Sequence, residues 1–108
     1  MPRQLNTALV FNMNVCRKIV LHITSADISE LDSVIERFMS EGIIFVGVVG
    51  PGASDVEDLI DEIAVGDGTR EPYSLLTSSH EGSTVEEALA FADLLTKEFS
   101  GPSRVVEI

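Results

Sequence analysis

Four short apolar runs alternate with three segments of helical periodicity, and this alternation limits the folds that the chain can adopt. The runs are rich in Val and Ile, which favour β-strands. The helical segments carry apolar residues three or four positions apart. The predicted strands are Lys18–Thr24, Ile43–Val49, Tyr73–Thr77 and Arg104–Ile108. The predicted helices are Ile28–Glu41, Asp55–Ala64 and Thr84–Phe99. The order β-α-β-α-β-α-β predicts an α/β protein with a mostly parallel four-stranded sheet.

Each predicted helix begins with the pattern of a capping box. In this pattern a Ser or Asp side chain accepts a hydrogen bond from the third helical amide, while a glutamate reaches back to the cap amide. The three pairs are Asp27 with Glu30, Ser54 with Glu57, and Ser83 with Glu86. Glycines at positions 42, 66 and 101 are expected to end the helices. Because the start and stop signals agree three times, we expect three helices in one domain of 108 residues.

We expect the sheet to be the middle layer of a three-layer α-β-α sandwich. The alternating order resembles that of flavodoxin-like and receiver domains, and flavodoxin-like topology implies the strand order 2-1-3-4. Right-handed crossovers would then place the first helix on one face and the other two helices on the opposite face. The segment Thr7–Val15 alternates apolar with partly polar side chains, which predicts an extra N-terminal edge strand. Whether this strand pairs within the chain or with a second chain stays open.

The resemblance to receiver domains is limited to topology. A receiver domain needs acids after the first strand, an aspartate at the end of the third and a late lysine. This chain has Ile23-Thr24-Ser25, Thr77-Ser78 and the ending S-R-V-V-E-I at these places. Phosphoryl-acceptor signalling is therefore not expected.

The net charge of −11 restricts the partners of the chain. Such a protein repels phosphate backbones, so we expect no binding of nucleic acid. The longest apolar run, Ile43–Val49, is shorter than the roughly 20 residues of a membrane-spanning helix, so no membrane association is expected. The single cysteine, Cys16, forms no internal disulfide, and the N-terminus lacks the features of a signal peptide. These features predict a cytoplasmic protein.

Five acids without a base fall within the second predicted helix. They are Asp55, Glu57, Asp58, Asp61 and Glu62. One interpretation is a solvated helix face, and the other is a docking face for a basic protein partner. The acids lack the alternating spacing of a calcium loop, and the two histidines and Cys16 are far apart in the sequence, so no metal site is predicted.

Polar residues near the ends of the first and third strands form a candidate ligand site. In open parallel sheets, ligands bind beyond the carboxyl ends of the strands, where the strand order reverses. With the order 2-1-3-4, that crevice lies between the first and third strands. Its walls would be Thr24, Ser25 and Asp27 from one loop and Thr77, Ser78, Ser79 and His80 from the other.

The stretch Thr77–Thr84 is interpreted as the loop from the third strand to the last helix. It contains serines and a histidine but no G-x-S-x-G motif, so we predict no catalytic residue. The glycine-rich stretch Gly47–Ser54 matches neither G-x-G-x-x-G nor the Walker A motif, and acids follow it at once. It is interpreted as a tight turn, and no cofactor is predicted.

Two functions remain after these exclusions. The first is a small, non-enzymatic, acidic protein that binds a macromolecular partner through its acidic helices, as an inhibitor, immunity-type or regulatory module. The alternative is a small-molecule-binding or enzymatic domain with its site around Thr77–His80. One helix is too narrow to cover a four- or five-stranded sheet. Apolar side chains near Tyr73, Leu75 or Val105 would then meet water, which predicts a homodimer.

Overall fold

The computed structural model describes residues 16–108, which form one parallel sheet with helices on both faces. The strands are β1 (Lys18–His22), β2 (Phe45–Val49), β3 (Leu76–His80) and β4 (Ser103–Glu107). The helices are α1 (Leu31–Ser40), α2 (Ala53–Val65) and α3 (Val85–Asp93), followed by a 3₁₀ turn at Lys97–Phe99. The predicted α/β class and its alternating order are confirmed for this part of the chain. The strand predicted at Thr7–Val15 lies outside the described residues.

The four strands lie side by side in the order β3-β2-β1-β4, and every neighbouring pair is parallel. The predicted order 2-1-3-4 was therefore wrong. The chain steps in one direction from β1 to β3 and then returns to place β4 on the other side of β1. The physical reason is burial, because β2 is buried along its whole length and β1 along all but its last residue. The more polar β3 and β4 take the edges of the sheet that residues 16–108 form.

This strand order decides which helices share a face. Helices α1 and α2 both pack on the face formed by alternate residues of β1 and β2, which include Ile19, Leu21, Val46 and Val48. Helix α3 packs alone on the opposite face, against Val20, Phe45 and Val49. Its contact residues are Ala88 and Ala92, whose small side chains let the helix approach the sheet closely. The expectation that the first helix would be alone on its face was wrong.

Only the last helix begins with a capping box, and the box lies one residue later than predicted. The Thr84 hydroxyl accepts from the Glu87 amide at 3.1 Å, and the Glu87 carboxylate accepts from the Thr84 amide at 2.9 Å. Ser83, the predicted cap, precedes this arrangement. Its amide donates instead to the carbonyl oxygen of His80 in the turn after β3.

The other two predicted capping boxes do not form. Helix α1 begins after Glu30 without a side-chain cap. The Asp27 carboxylate accepts from the Ser29 amide at 3.0 Å, in the loop before the helix. Helix α2 begins after Gly52, so that Ser54 lies inside the first turn of the helix rather than before it.

The boundaries of β3 and α3 also differ from the prediction. β3 starts at Leu76, so Thr77–His80 belong to the strand and not to a loop. α3 ends at Asp93 instead of continuing to Phe99, and Lys97 then adopts a positive φ of 60°. The predicted stops at Gly42 and Gly66 are confirmed, with φ values of 79° and 81° after α1 and α2.

Candidate functional site

A cavity of about 480 Å³ lies at the carboxyl ends of β1 and β2. The loop after β1 contributes Ile23, Thr24, Ser25, Ala26 and Ile28, and the start of α2 contributes Pro51, Gly52, Asp55 and Val56. Most of these side chains are apolar, and Asp55 is the charged one among them. Small-molecule pockets in proteins commonly measure about 300–1,000 Å³ and combine an apolar lining with a few polar groups.

The turn between β2 and α2 forms one wall of this cavity because Gly50 allows a close approach. Gly50 has a φ of 120°, and a Cβ atom at this position would lie 2.6 Å from the carbonyl oxygen of Ile23. A side chain here would therefore meet the backbone at the end of β1, in a conformation that residues other than glycine rarely adopt. The close contact of Gly50 with Ile23 holds the start of α2 beside the loop after β1.

A carboxylate from a third loop lies at the N-terminus of α2. The Gly52 amide, at the cap position of the helix, donates to the Glu81 carboxylate at 3.3 Å. Phosphates bind at such positions because the helix dipole and the free amides favour negative charge. In this protein Glu81 supplies the negative charge, and Asp55 adds another in the first turn of the helix. This arrangement disfavours a phosphate ligand.

The residues predicted after the first strand are only partly in this cavity. Thr24 and Ser25 line it, whereas Asp27 lies in the adjoining loop. Hydrogen bonds from the Ser29 backbone and side chain lower the pKa of the Asp27 carboxyl below its ordinary value. Both the amide and the hydroxyl of Thr24 donate to the carbonyl oxygen of Ile108, at 2.8 and 2.9 Å. These bonds continue the β1–β4 pairing through the point where the strand order reverses.

The second predicted group, Thr77–His80, does not meet the first. These residues lie on β3, and β2 separates β3 from β1. Strand pairing also divides them between the two faces of the sheet, because Thr77 and Ser79 pair with buried residues on the α2 side. Ser78 and His80 lie on the α3 side. The seven predicted ligand residues therefore do not form one crevice.

Ser78 and His80 form a hydrogen-bonded pair that sequence reasoning missed. The Ser78 Oγ lies 2.7 Å from His80 Nε2, since residues two apart in a strand share a face. The His80 ring packs edge-on against Phe91 with a centroid distance of 4.8 Å. A Cβ on Gly47 of the neighbouring strand would lie 3.4 Å from Nε2, so His80 covers the space above this glycine.

A serine hydroxyl that is hydrogen-bonded to an imidazole can be activated as a nucleophile. Such a catalytic pair also needs a third group that orients the imidazole. Among residues 16–108, the His80 ring has no hydrogen bond or ion pair to a carboxylate. The pair is therefore better explained as packing over Gly47 than as a catalytic dyad.

Two of the five acids on α2 contact the strand β3. The Thr77 hydroxyl lies 2.9 Å from the Glu57 carboxylate and 2.8 Å from the Asp61 carboxylate. A hydroxyl has one hydrogen, so Thr77 donates to one carboxylate at a time. These contacts join α2 to the edge strand β3.

The other three acids form an exposed stripe along α2. Asp55, Asp58 and Glu62 are spaced by three and four residues, so they lie on one side of the helix. Among the residues that the structure describes, none of the three forms an ion pair. The structure thus divides the predicted partner-binding acids into a pair that contacts β3 and an outward stripe.

A groove of about 290 Å³ lies between α1 and α2, and Glu62 at one end of this stripe lines it. We call it the acidic groove. Its apolar lining includes Ile28, Leu59 and Ile63, and its acids are Asp32 from α1 and Glu62 from α2. Leu59 is 38% exposed, which is high for a leucine on a helix that packs against a sheet. The acidic groove combines apolar surface with negative charge.

A buried lysine is the second feature that sequence reasoning missed. Lys18 is 1% exposed, and its ammonium group donates to the carbonyl oxygen of Ala92 near the end of α3. Positive charge at a helix C-terminus is favoured by the helix dipole. In the sequence Lys18 is the polar first residue of an apolar run, and nothing in that pattern indicates that α3 covers it.

Two further properties concern the described residues only. Among residues 16–108, no three His, Cys, Asp or Glu side chains lie close enough to hold a metal ion. In the same part of the chain, no helix has the length and apolar character needed to cross a membrane.

The fold and its two surface sites define an α/β protein with a parallel sheet, a loop cavity and an acidic groove. Residues 3–106 match a domain of unknown function, DUF7684, and the chain belongs to that family. No curated protein and no solved structure matches the chain.

Proposed function

We propose that this protein binds a basic segment of another protein in the acidic groove between α1 and α2. The observation that carries the proposal is the exposed stripe of Asp55, Asp58 and Glu62 beside a groove with apolar walls. Such a protein would act as a non-enzymatic inhibitor, immunity-type or regulatory module.

The charges support a basic partner rather than a neutral one. The stripe has no ion-paired base among residues 16–108, and Asp32 extends the negative charge across the groove to α1. Complementary charges of this kind increase the rate of association and exclude acidic partners.

The apolar side chains of the groove supply the second part of the recognition. Leu59 is exposed at the groove, and Ile63 lies one turn further along α2. Binding free energy concentrates in apolar contacts that become dry at the centre of an interface, while a charged rim mainly sets rate and specificity. We therefore expect the partner to insert an apolar side chain between positively charged ones.

The proposal is tested by partner capture followed by kinetics on the captured protein. The test variant carries Asp58→Lys and Glu62→Lys, which reverse two charges of the stripe. The control carries Glu71→Lys and Glu98→Lys, two exposed acids outside the groove with the same change in net charge. We expect the test variant to slow association strongly at low salt and the control to have little effect.

The results that contradict the proposal are equally specific. Equal loss of association in both variants would show a general effect of net charge. A captured partner that binds the test variant at the wild-type rate, at any salt concentration, would exclude the acidic groove as its docking site.

A further inference from the structure

The cavity at the carboxyl ends of β1 and β2 adjoins the acidic groove, since Ile28 lines both, but its chemistry indicates a different kind of ligand. We propose that it binds a small organic amine, with the apolar body of the ligand inside the cavity and the ammonium group against Asp55. The inference does not depend on the proposed docking of a basic protein.

The apolar part of the ligand is indicated by the walls. Ile23, Ala26 and Ile28 from one loop face Pro51 and Val56 from the other side of the cavity. The volume of about 480 Å³ falls within the usual range for small-molecule sites, at about 300–1,000 Å³. The cavity lies beyond the carboxyl ends of β1 and β2, which is the end of a parallel sheet where ligands bind, although the strand order reverses one strand away, between β1 and β4.

The positive charge of the ligand is indicated by the polar groups. Among residues 16–108, Asp55 is the ionisable residue of the lining, and no lysine or arginine lines the cavity. The Glu81 carboxylate contacts Gly52 in the same wall, and Asp27 lies in the adjoining loop. These acids outweigh the partial positive charge at the start of α2, which is about half an elementary charge. An anionic ligand would meet the Asp55 carboxylate in the lining, with the carboxylates of Glu81 and Asp27 in the adjoining loops.

The Thr24 hydroxyl of the lining is engaged within the protein, whereas the Ser25 hydroxyl keeps its own hydrogen and can add a hydrogen bond to a ligand. Thr24 donates its hydroxyl hydrogen to the carbonyl oxygen of Ile108, and the Ser25 hydroxyl accepts from the Asp27 amide. The Asp55 carboxylate, which is exposed and has no ion-paired base among residues 16–108, remains as the charged group that can orient a ligand. A carboxylate oxygen accepts most strongly from a charged donor such as an ammonium group.

The experiment compares three probes of one shape and different charge, namely benzylamine, benzyl alcohol and benzoate at millimolar concentration. Binding is followed by the amide resonances of the ¹⁵N-labelled protein. We expect benzylamine to shift the amides of residues 23–28 and 52–56, and to bind more tightly than the other two probes. Asp55→Asn should weaken benzylamine binding roughly tenfold, because a hydrogen bond to a charged group is lost.

Two further variants make the experiment decisive. Glu98→Gln removes an exposed acid outside the lining and outside the acidic stripe, and it should leave benzylamine binding unchanged. Ala26→Leu should narrow the cavity and weaken benzylamine binding, with the amide spectrum showing that the fold is retained. The proposal is overturned if benzylamine causes no shifts, if benzoate binds as tightly, or if Asp55→Asn binds benzylamine as the wild type does.

Discussion

Glu81 accepts a hydrogen bond from the amide of Gly52 at 3.3 Å, and this contact links two crossovers of the fold. Glu81 follows β3 and Gly52 precedes α2. The two residues are 29 positions apart in the sequence. The contact supplies α2 with the negative charge that a side-chain cap would otherwise provide.

The capping of α3 gives a prediction with a built-in control. Thr84→Ala should lower the free energy of unfolding by about 0.5–2 kcal/mol, because the Glu87 amide loses its acceptor. Ser83→Ala should change it by less than about 0.5 kcal/mol, since Ser83 is outside the capping box. Denaturant unfolding of both variants measures the difference. A larger loss from Ser83→Ala would show that the helix starts one residue earlier.

The turn at Gly50, which forms one wall of the cavity, gives a prediction about the stability of the protein. Gly50→Ala should destabilise the protein, because the new Cβ would lie 2.6 Å from the Ile23 carbonyl oxygen and φ would stay positive. Gly68→Ala is the matched control, since Gly68 has a φ of 94° but no atom within 4 Å of a new Cβ. Strain from an unusual φ costs about 1–3 kcal/mol in both, and the clash adds to the cost at Gly50 alone. Equal losses in thermal or denaturant unfolding would contradict this reading of the turn.

Lys18 gives a prediction about buried charge. Lys18→Met keeps the volume of the side chain and removes the need to bury an ammonium group, so we expect stability equal to or above that of the wild type. Lys18→Ala should lower the free energy of unfolding by about 2–5 kcal/mol, because it leaves a cavity under α3. Comparison of the two unfolding curves separates packing from the hydrogen bond to Ala92. Equal losses would mean that the hydrogen bond outweighs the packing.

The homodimer predicted from the sequence stays a prediction. We now expect its interface on the face of the sheet that carries α3. Leu76 on β3 and Val105 on β4 are 41% and 40% exposed, on either side of the single helix. We expect sedimentation at micromolar concentration to give twice the monomer mass of 11.7 kDa. Leu76→Gln with Val105→Gln should shift the protein toward the monomer. Val65→Gln, a change on the exposed side of α2, should not. A wild-type protein that sediments as a monomer would contradict the prediction of a homodimer.

The sequence predicts the position of a strand well where the strand is apolar because both of its faces are buried. β1 and β2 are apolar because both faces are covered, and their positions were found to within two residues at each end. The third strand was placed too early because Leu76–His80 is mostly polar. A strand at the edge of a sheet can carry polar side chains such as these. Which strand lies at the edge depends on the strand order, and no local sequence pattern indicates that order.

The details of the candidate sites depend on contacts between distant residues. Ser83 and Thr84 both have a glutamate three residues later, so the sequence alone gave no reason to choose between them. The sequence shows that α2 carries five acids, but it does not show which of them contact the sheet. Only the hydrogen bonds of Thr77 identify the two acids that contact β3. The cavity also escaped prediction, because it depends on which strands are neighbours.

The interior position of β2 has a consequence for aggregation. Its sequence F-V-G-V-V is uncharged and rich in β-branched residues, which is the composition of segments that form amyloid-like sheets. In the folded protein β2 is paired on both sides, and the neighbouring edge strand β3 is short and polar. A short polar edge is a poor template for the strands of other molecules. The strand order thus keeps the most aggregation-prone of the four strands out of reach, and partial unfolding at the β3 edge would expose it.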